Sequence, residues 1–292
     1  MYPVIFQYKN LVISSYGLML MIAFLTCNYL MKRYFKSIHI NEDIADDLIF
    51  YAAIGGILGS KIYYIIEFWN TEGYNNIQGL INIIKGFLNF NLEMIFAGIN
   101  QFGSGLVFLG GLIGGLIAVT IYIYKNNLDW FTVADWVAPF LALGHSIGRI
   151  GCFLVGDCYG HPCNLPWAVS FKNGLPPTTF ESFKYNYPDW FLNNGMSAIY
   201  KPNDIIFVHP TQIYESITYM ILFFYLSYIR NNRKYKGQVF LEYLFYAGIS
   251  RFIIEFFRLN PTYLLNLTGA QYISVLMILV SSILMYRHRR II

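Results

Sequence analysis

The sequence predicts an all-α polytopic membrane protein, a transmembrane bundle of about seven helices carrying one polar head. Three observations predict it. Apolar residues make up 56% of the chain and charged residues only 12%, where a soluble domain carries about 25% charged residues. The apolar residues gather into runs of about 20, the length a helix needs to cross a bilayer. The 20 Lys and Arg residues alternate between rich and poor connections, as membrane orientation requires. These runs fill most of the 292 residues, so one membrane-embedded domain over 1–292 is expected. A net charge of +4 is too small to point to nucleic acid.

Taken in order, the runs place spans at roughly 11–31, 48–68, 103–124, 132–154, 210–229, 238–257 and 270–286. The first has no basic segment before it and no small-residue cleavage site after it, so it is expected to stay as a span. The second contains Lys61. The stretch 77–99 is apolar but broken by Lys85, Asn89, Asn91 and Glu93, which suits an interfacial or re-entrant arm. The third holds Gly103-Ser104-Gly105 and Gly110 to Gly115, where Gly111-x-x-x-Gly115 permits close helix packing. The fourth runs into Gly148-Arg149-Ile150-Gly151-Cys152 and Gly156-Asp157-Cys158-Tyr159-Gly160. Residues 156–208, with Pro162, Pro166, Pro176, Pro177 and Pro188 among many aromatics, read as an ordered extracytoplasmic head. The fifth opens on His209-Pro210-Thr211-Gln212-Ile213-Tyr214-Glu215. Pro210 suits a first helical turn, and His209, Gln212 and Glu215 or Ser216 fall along one side. The sixth places Arg251, Glu255 and Arg258 at i, i+4 and i+7, one helix face.

Orientation follows from the basic residues. Eleven lie on one side: Lys32, Arg33, Lys36, Lys125, Arg230, Arg233, Lys234, Lys236, Arg287, Arg289 and Arg290. Lys9, Lys85, Lys172, Lys184 and Lys201 lie on the other. The richer side is expected to be cytoplasmic, so the N-terminus faces out. Four cations remain within or at the ends of spans: Lys61, Arg149, Arg251 and Arg258.

Those residues carry the chemistry. A charge at membrane depth costs about 2.5 kcal/mol or more, so Arg149 needs an anion or a water-filled cavity. The glycines around it let irregular backbone approach a bound headgroup. Glu255 can pair with Arg251, but it cannot neutralise Arg149 and Arg258 as well, and the surplus positive charge calls for an anion from outside the chain. Tyr16 is either an interfacial aromatic or a hydroxyl donor to the same cavity. His209 is either a capping residue or a catalytic one. Cys27, Cys152, Cys158 and Cys163 are too few for a disulfide scaffold. Cys152, Cys158 and Cys163 with His161 could be drawn as zinc ligands, but no paired short spacing recurs, so no metal is expected. Cys158 and Cys163 are compatible with a local disulfide or with two free thiols.

Five motifs, in order, carry a resemblance: Tyr16-Gly17, Gly148-Arg149-Ile150-Gly151, Gly156-Asp157-Cys158-Tyr159-Gly160, His209 to Glu215, and Arg251 to Arg258. Together they resemble the phosphatidylglycerol–prolipoprotein diacylglyceryl transferase family over nearly the whole chain. The resemblance implies a multi-pass enzyme of the bacterial cytoplasmic (inner) membrane with its active site toward the outer leaflet. It implies transfer of the diacylglyceryl group of phosphatidylglycerol to the lipobox cysteine thiol of a prolipoprotein. A thioether forms, glycerol phosphate leaves, and no cofactor is needed. Arg149 and Arg251 would then hold the lipid phosphate as fork-shaped donors. Glu255 would orient Arg251, Asp157 would orient Arg149 or the headgroup, and Tyr16 would bond the headgroup. Gly151, Gly156, Gly160, Gln212, Glu215 and Arg258 would complete the substrate site. Lys61 and Cys152 stand where the family carries arginine and asparagine, and Asp157 stands for its glutamate. Leu109 occupies the position of a histidine discussed as the family's base. His209, an imidazole of ordinary pKa about 6.5 mapped to the outer end of the fifth span, is the substitute candidate, with His145 a rival that could equally be a structural donor. Two other readings remain: a divergent phospholipid-dependent transferase with another acceptor, and a non-catalytic lipid-binding or transport protein. Against transport, there is no inverted repeat and the charges gather at one leaflet.

Overall fold

A computed structural model describes residues 2–8, 11–103 and 105–291. Lys9 and Ser104, used above for orientation and for the small-residue face, lie outside the described residues. The chain forms two compact units, Met1–Met31 with Phe131–Ile292, and Lys32–Trp130.

The first unit opens with a feature that the all-α expectation lacked. Strands β1 (Val4–Tyr8) and β2 (Leu11–Ser14) form an antiparallel hairpin with Val4 opposite Ser14 and Tyr8 opposite Leu11. Val4, Ile5, Val12 and Ile13 explain it: β-branched side chains prefer the pleated backbone. The first helix, α1 (Ser15–Ser37), therefore begins four residues later than expected. Ser14 Oγ accepts the Gly17 N–H at 3.0 Å and caps its first turn.

In the second unit, α2 (Asp43–Glu67) packs on α5 (Phe108–Lys125). The helix pair α3 (Tyr74–Leu88) and α4 (Leu92–Gly103) folds back on itself over the stretch expected as an arm. Helix α5 starts five residues late. Gly105 has φ +78°, and the Tyr64 ring occupies the place a β-carbon would take, so only glycine permits this lead-in. The closest α2–α5 approach uses Gly55 and Gly59 against Gly110 and Gly114, with Gly111 set beside Ser60. The small-residue seam is thus one position earlier than Gly111-x-x-x-Gly115 suggested.

The rest of the first unit is α6 (Trp130–Val155), a head, and helices α10 (Thr211–Ile229), α11 (Gln238–Glu255) and α12 (Gly269–Ile291). The head contains short helices α7 (Phe180–Asn186), α8 (Pro188–Asn193) and α9 (Met196–Ile199). Its core is Tyr159, Phe171, Phe180, Phe183, Phe191, Met196, Ile206 and Val208, which is where the aromatics of 156–208 go. Among the described residues, four helices are long and apolar enough to cross a membrane: Asp43–Glu67, Phe108–Lys125, Trp130–Val155 and Gly269–His288. Helices α1, α10 and α11 occupy the other three expected segments with 23, 19 and 18 residues, but carry more polar side chains.

Helix α6 aligns α10 and α11 from its two ends. Ser146 Oγ donates to the Ser216 carbonyl at 2.7 Å. Asp135, fully buried, accepts the Gly237 N–H at 2.8 Å and the Phe240 N–H at 3.0 Å. It serves as a tertiary cap for α11, with Arg233 Nη1 at 3.4 Å. Asp135→Ala orphans two buried N–H groups and is expected to cost about 2–3 kcal/mol. A thermal unfolding midpoint equal to wild type in detergent would remove this role.

Candidate active site

The site is built on one carboxylate. Glu215, in the second turn of α10, has no exposed side-chain surface. Its Oε2 lies 2.6 Å from Arg149 Nε and 3.1 Å from His145 Nε2, both from the last three turns of α6. Its Oε1 lies 2.8 Å from Arg251 Nη1 and 3.4 Å from Arg258 Nη1, at and just beyond the end of α11. Glu255 forms the second anionic centre. Its Oε2 is 3.0 Å from Arg251 Nη2 and 3.9 Å from Arg258 Nε. Its Oε1 accepts from Thr268 Oγ1 at 2.9 Å and from Asn260 Nδ2.

This corrects the expectation that Glu255 alone faces three arginines. Two buried glutamates face three guanidiniums, leaving one positive charge in surplus. Arg149 and Arg251 keep 17% and 23% of their side-chain surface exposed, while both glutamate side chains are sealed. The arrangement therefore leaves part of two cationic side chains accessible and keeps their counter-charge buried. A monoanionic phosphodiester matches both the donor geometry and the surplus.

The loop after α6 closes over this cluster. Thr211 Oγ1 donates to the Cys158 carbonyl at 2.8 Å, and Gln212 Nε2 donates to the Asp157 carbonyl. Gly160 pairs with Arg258 across a β-bridge, and its N–H donates to the His209 carbonyl at 2.9 Å. A β-carbon at Gly160 would collide with the Phe257 carbonyl and approach His209 and Thr211, so glycine is required here for close approach. Gly156, at φ +77°, leans on Phe171 and Gly174. Gly151 lies against α1, where a β-carbon would sit 3.3 Å from the Tyr16 ring and 3.0 Å from Met19 Cβ. Tyr16 is thereby beside the end of α6, 41% exposed. Asp157 keeps its Oδ1 buried with no hydrogen-bond partner. Burial, and next the Cys158 thiol, push its carboxyl up to about 6.

The two histidines part company. His145 stacks on Tyr219 with ring centroids 3.8 Å apart and bonds Glu215. It is the arginine cluster's internal neighbour, where the sequence left it as a rival base or a structural donor. His209 is buried beside Phe257 and His161, with Nδ1 3.1 Å from the Tyr214 hydroxyl. Trp167 Nε1 donates to that same hydroxyl at 2.8 Å. When the hydroxyl accepts from both, His209 carries its proton on Nδ1 and offers Nε2 as an acceptor. Burial, and next the His161 ring, lower the His209 pKa from its usual value, which keeps the imidazole neutral at pH 7.

Cys27, Cys152, Cys158 and Cys163 are all free thiols, so no disulfide joins Cys158 to Cys163. The zinc set drawn from sequence is not assembled as drawn. Instead Cys152 Sγ, Cys158 Sγ and an Asp157 carboxylate oxygen lie within 4.8 Å of one another. Lys61 belongs to the second unit, where it is buried, donates to Asn76 Oδ1, reaches the Gly105 carbonyl at 3.5 Å and lies 4.6 Å from the Phe102 ring centre. Leu109 is in that unit too, in the first turn of α5 and 42% exposed. Sequence reasoning missed Asn260 and Thr268, which fix Glu255. Their only signal was polarity in a short connection between two apolar helices.

The chain as a whole is similar to known proteins. The profile of the family described as prolipoprotein diacylglyceryl transferase matches residues 3–287. A phosphatidylglycerol–prolipoprotein diacylglyceryl transferase of Clostridium tetani is 33% identical over 281 residues, covering 96% of this chain and 95% of its own. Similarly named proteins of Bordetella bronchiseptica and Thermotoga maritima are 29% and 27% identical, covering 95% and 94% of this chain and 91% and 80% of their own. With the match running through the hairpin, both units, the head and the arginine–glutamate cluster, the chain belongs to the prolipoprotein diacylglyceryl transferase family.

Proposed function

We propose that this chain transfers the diacylglyceryl group of phosphatidylglycerol to the lipobox cysteine thiol of a prolipoprotein. The observation that carries the reading is the single surplus positive charge of the Arg149–Arg251–Arg258 cluster over Glu215 and Glu255. It is matched by a lipid phosphodiester. Arg149 and Arg251 hold the phosphate, with Arg258 behind them, while Tyr16, Asp157 and Gln212 border the headgroup. The acceptor thiolate attacks the glycerol carbon that bears the phosphate. A carbon–sulfur bond forms, the carbon–oxygen bond breaks, and the charge that gathers on the departing glycerol phosphate is met by the guanidiniums. Incubating purified protein with phosphatidylglycerol and a lipobox peptide tests this. Mass spectrometry should find the thioether adduct and free glycerol phosphate, and release of glycerol phosphate without adduct would refute the acceptor.

The thiol proton goes to His209 Nε2, with Tyr214 setting the tautomer. Below its lowered pKa His209 is protonated and cannot accept, so the rate falls toward acid. His209→Ala is expected to lose about 10²-fold or more near neutral pH. Much less should be lost at alkaline pH, where a thiol of pKa about 8.5 is already thiolate. His145→Gln should act through the placement of Arg149 and show no alkaline rescue. Wild-type rate for His209→Ala at neutral pH removes His209 as the base.

We infer seven crossings, α1, α2, α5, α6, α10, α11 and α12, in a bacterial cytoplasmic membrane. The α3–α4 hairpin is an interfacial arm, supported by exposed Phe87, Leu88, Phe90 and Leu92 at its tip. The basic asymmetry supports an outward N-terminus and a site at the outer leaflet. A cysteine placed at Asn194 should react with an impermeant reagent in intact cells and one at Asn232 should not; the opposite pattern reverses the orientation.

A further inference from the structure

Cys152 and Cys158 have no assigned step in transfer and Asp157 only borders the headgroup, yet the fold brings the three together. Cys152 comes from the last turn of α6, and the other two come from the loop that follows. Cys158 sits at φ +58°, a left-handed conformation that glycine adopts freely and that costs other residues about 1 kcal/mol or more. Its carbonyl is pinned by Thr211 Oγ1 and its neighbour's by Gln212 Nε2. A backbone that suits glycine thus carries a thiol, and holds it against a second thiol and a carboxylate. One oxygen of that carboxylate, Asp157 Oδ1, is buried and unpartnered, a costly state for a polar group.

We propose that Cys152 Sγ, Cys158 Sγ and the Asp157 carboxylate form a three-ligand site for a thiophilic divalent cation of the zinc and cadmium class, with water or a substrate oxygen as fourth ligand. The three ligand atoms lie within 4.8 Å of one another. Thiolates about 2.3 Å from a tetrahedral ion stand about 3.8 Å apart, so side-chain rotation closes the remaining distance. Two sulfurs exclude magnesium and calcium, which take oxygen ligands.

The nearby arginines do not oppose this cation. Two thiolates and one carboxylate bring three negative charges, so the loaded site carries a net charge of −1. Arg149 Nη1 already lies 3.9 Å from Cys152 Sγ. The guanidinium would meet a thiolate of the complex as it meets any anion, and each thiol still protonated gives its proton to solvent on loading.

The test uses the full chain in detergent, reduced and freed of metal with a chelator that is then removed. Titration with cadmium chloride should raise the ultraviolet thiolate-to-cadmium charge-transfer band to saturation at one ion per chain. Cys158→Ser and Cys152→Ser should each lose at least half of the band, and Asp157→Asn should keep it with at least ten-fold weaker binding. Cys27→Ala and Cys163→Ser should match wild type, and circular dichroism should show that each variant is folded. Should either single serine variant misfold, the Asp157→Asn affinity still decides. Absence of the band in wild type, a full band in Cys152→Ser or Cys158→Ser, or unchanged affinity in Asp157→Asn overturns the site. A Cys152–Cys158 disulfide that, once reduced, leaves a protein unable to take up cadmium overturns it as well. The readout is metal binding itself, so failure here leaves the transfer assay standing.

Discussion

Arg149→Ala should abolish transfer while leaving a folded, membrane-inserted protein. Removing one charged donor from a site where charge develops costs about 10²–10³ in rate, and Arg149 supplies several N–H groups at once. The fold is expected to survive because Glu215 keeps Arg251 at 2.8 Å, Arg258 at 3.4 Å and His145 at 3.1 Å. The variant replaces a surplus of one positive charge with balance, so it loses attraction for the phosphodiester without stranding a buried ion. Arg149→Lys should recover little. A single ammonium can satisfy Glu215 or the phosphate, but it cannot reach both with the planar fork of a guanidinium. Arg251→Ala should be about as severe, since Arg251 bridges Glu215 and Glu255. The measurement is kcat/KM for thioether formation alongside circular dichroism of the same preparation. Activity within ten-fold of wild type for both alanine variants sinks the phosphate-clamp reading.

How far this site could be read in advance depended on sequence distance. Arg251, Glu255 and Arg258 share one helix face by periodicity, and a charge inside an apolar run is conspicuous because it is expensive. Arg149 stood out for the same reason. Glu215 could be named as a polar residue near the start of α10, but its partners at 145 and 149 and at 251 and 258 come from two other, separated segments, and no local pattern encodes their convergence. The hairpin at Val4–Ser14 was lost because its second strand, Leu11–Ser14, was read as the start of the apolar run that forms α1. The late start of α5 was lost because it depends on Tyr64 filling the space beside Gly105. The thiol–carboxylate cluster was half visible: Cys152 and Cys158 were suspected, but with His161 and Cys163 as companions. The choice of Asp157 instead follows from the turn that Gly156 and Cys158 make at positive φ.

Glu215→Gln is expected to be the most damaging single change to the fold of the first unit. The substitution keeps shape and removes charge, so Arg149, Arg251 and Arg258 then face Glu255 alone. Breaking a buried ionic group in this way costs about 3–5 kcal/mol, because the partners remain charged and out of water. The thermal midpoint should fall by several degrees or more, and activity should be lost with it. The informative experiment is the pair. In Glu215→Gln with Arg149→Ala, the surplus returns to the single positive charge of wild type, and the most closely paired guanidinium at 2.6 Å is gone. That double variant should regain part of the stability lost by Glu215→Gln alone, with a coupling of about 1–3 kcal/mol. It should stay inactive, because the phosphate has lost one of its two fork-shaped donors. Stability and catalysis would then separate on the same two residues: Glu215 works as the counter-ion that lets three arginines be buried, and Arg149 as the donor that burial was arranged to keep. Additive losses in the double variant would show that Glu215 and Arg149 are not one electrostatic unit. A Glu215→Gln protein as stable as wild type would show that the arginines find their counter-charge elsewhere.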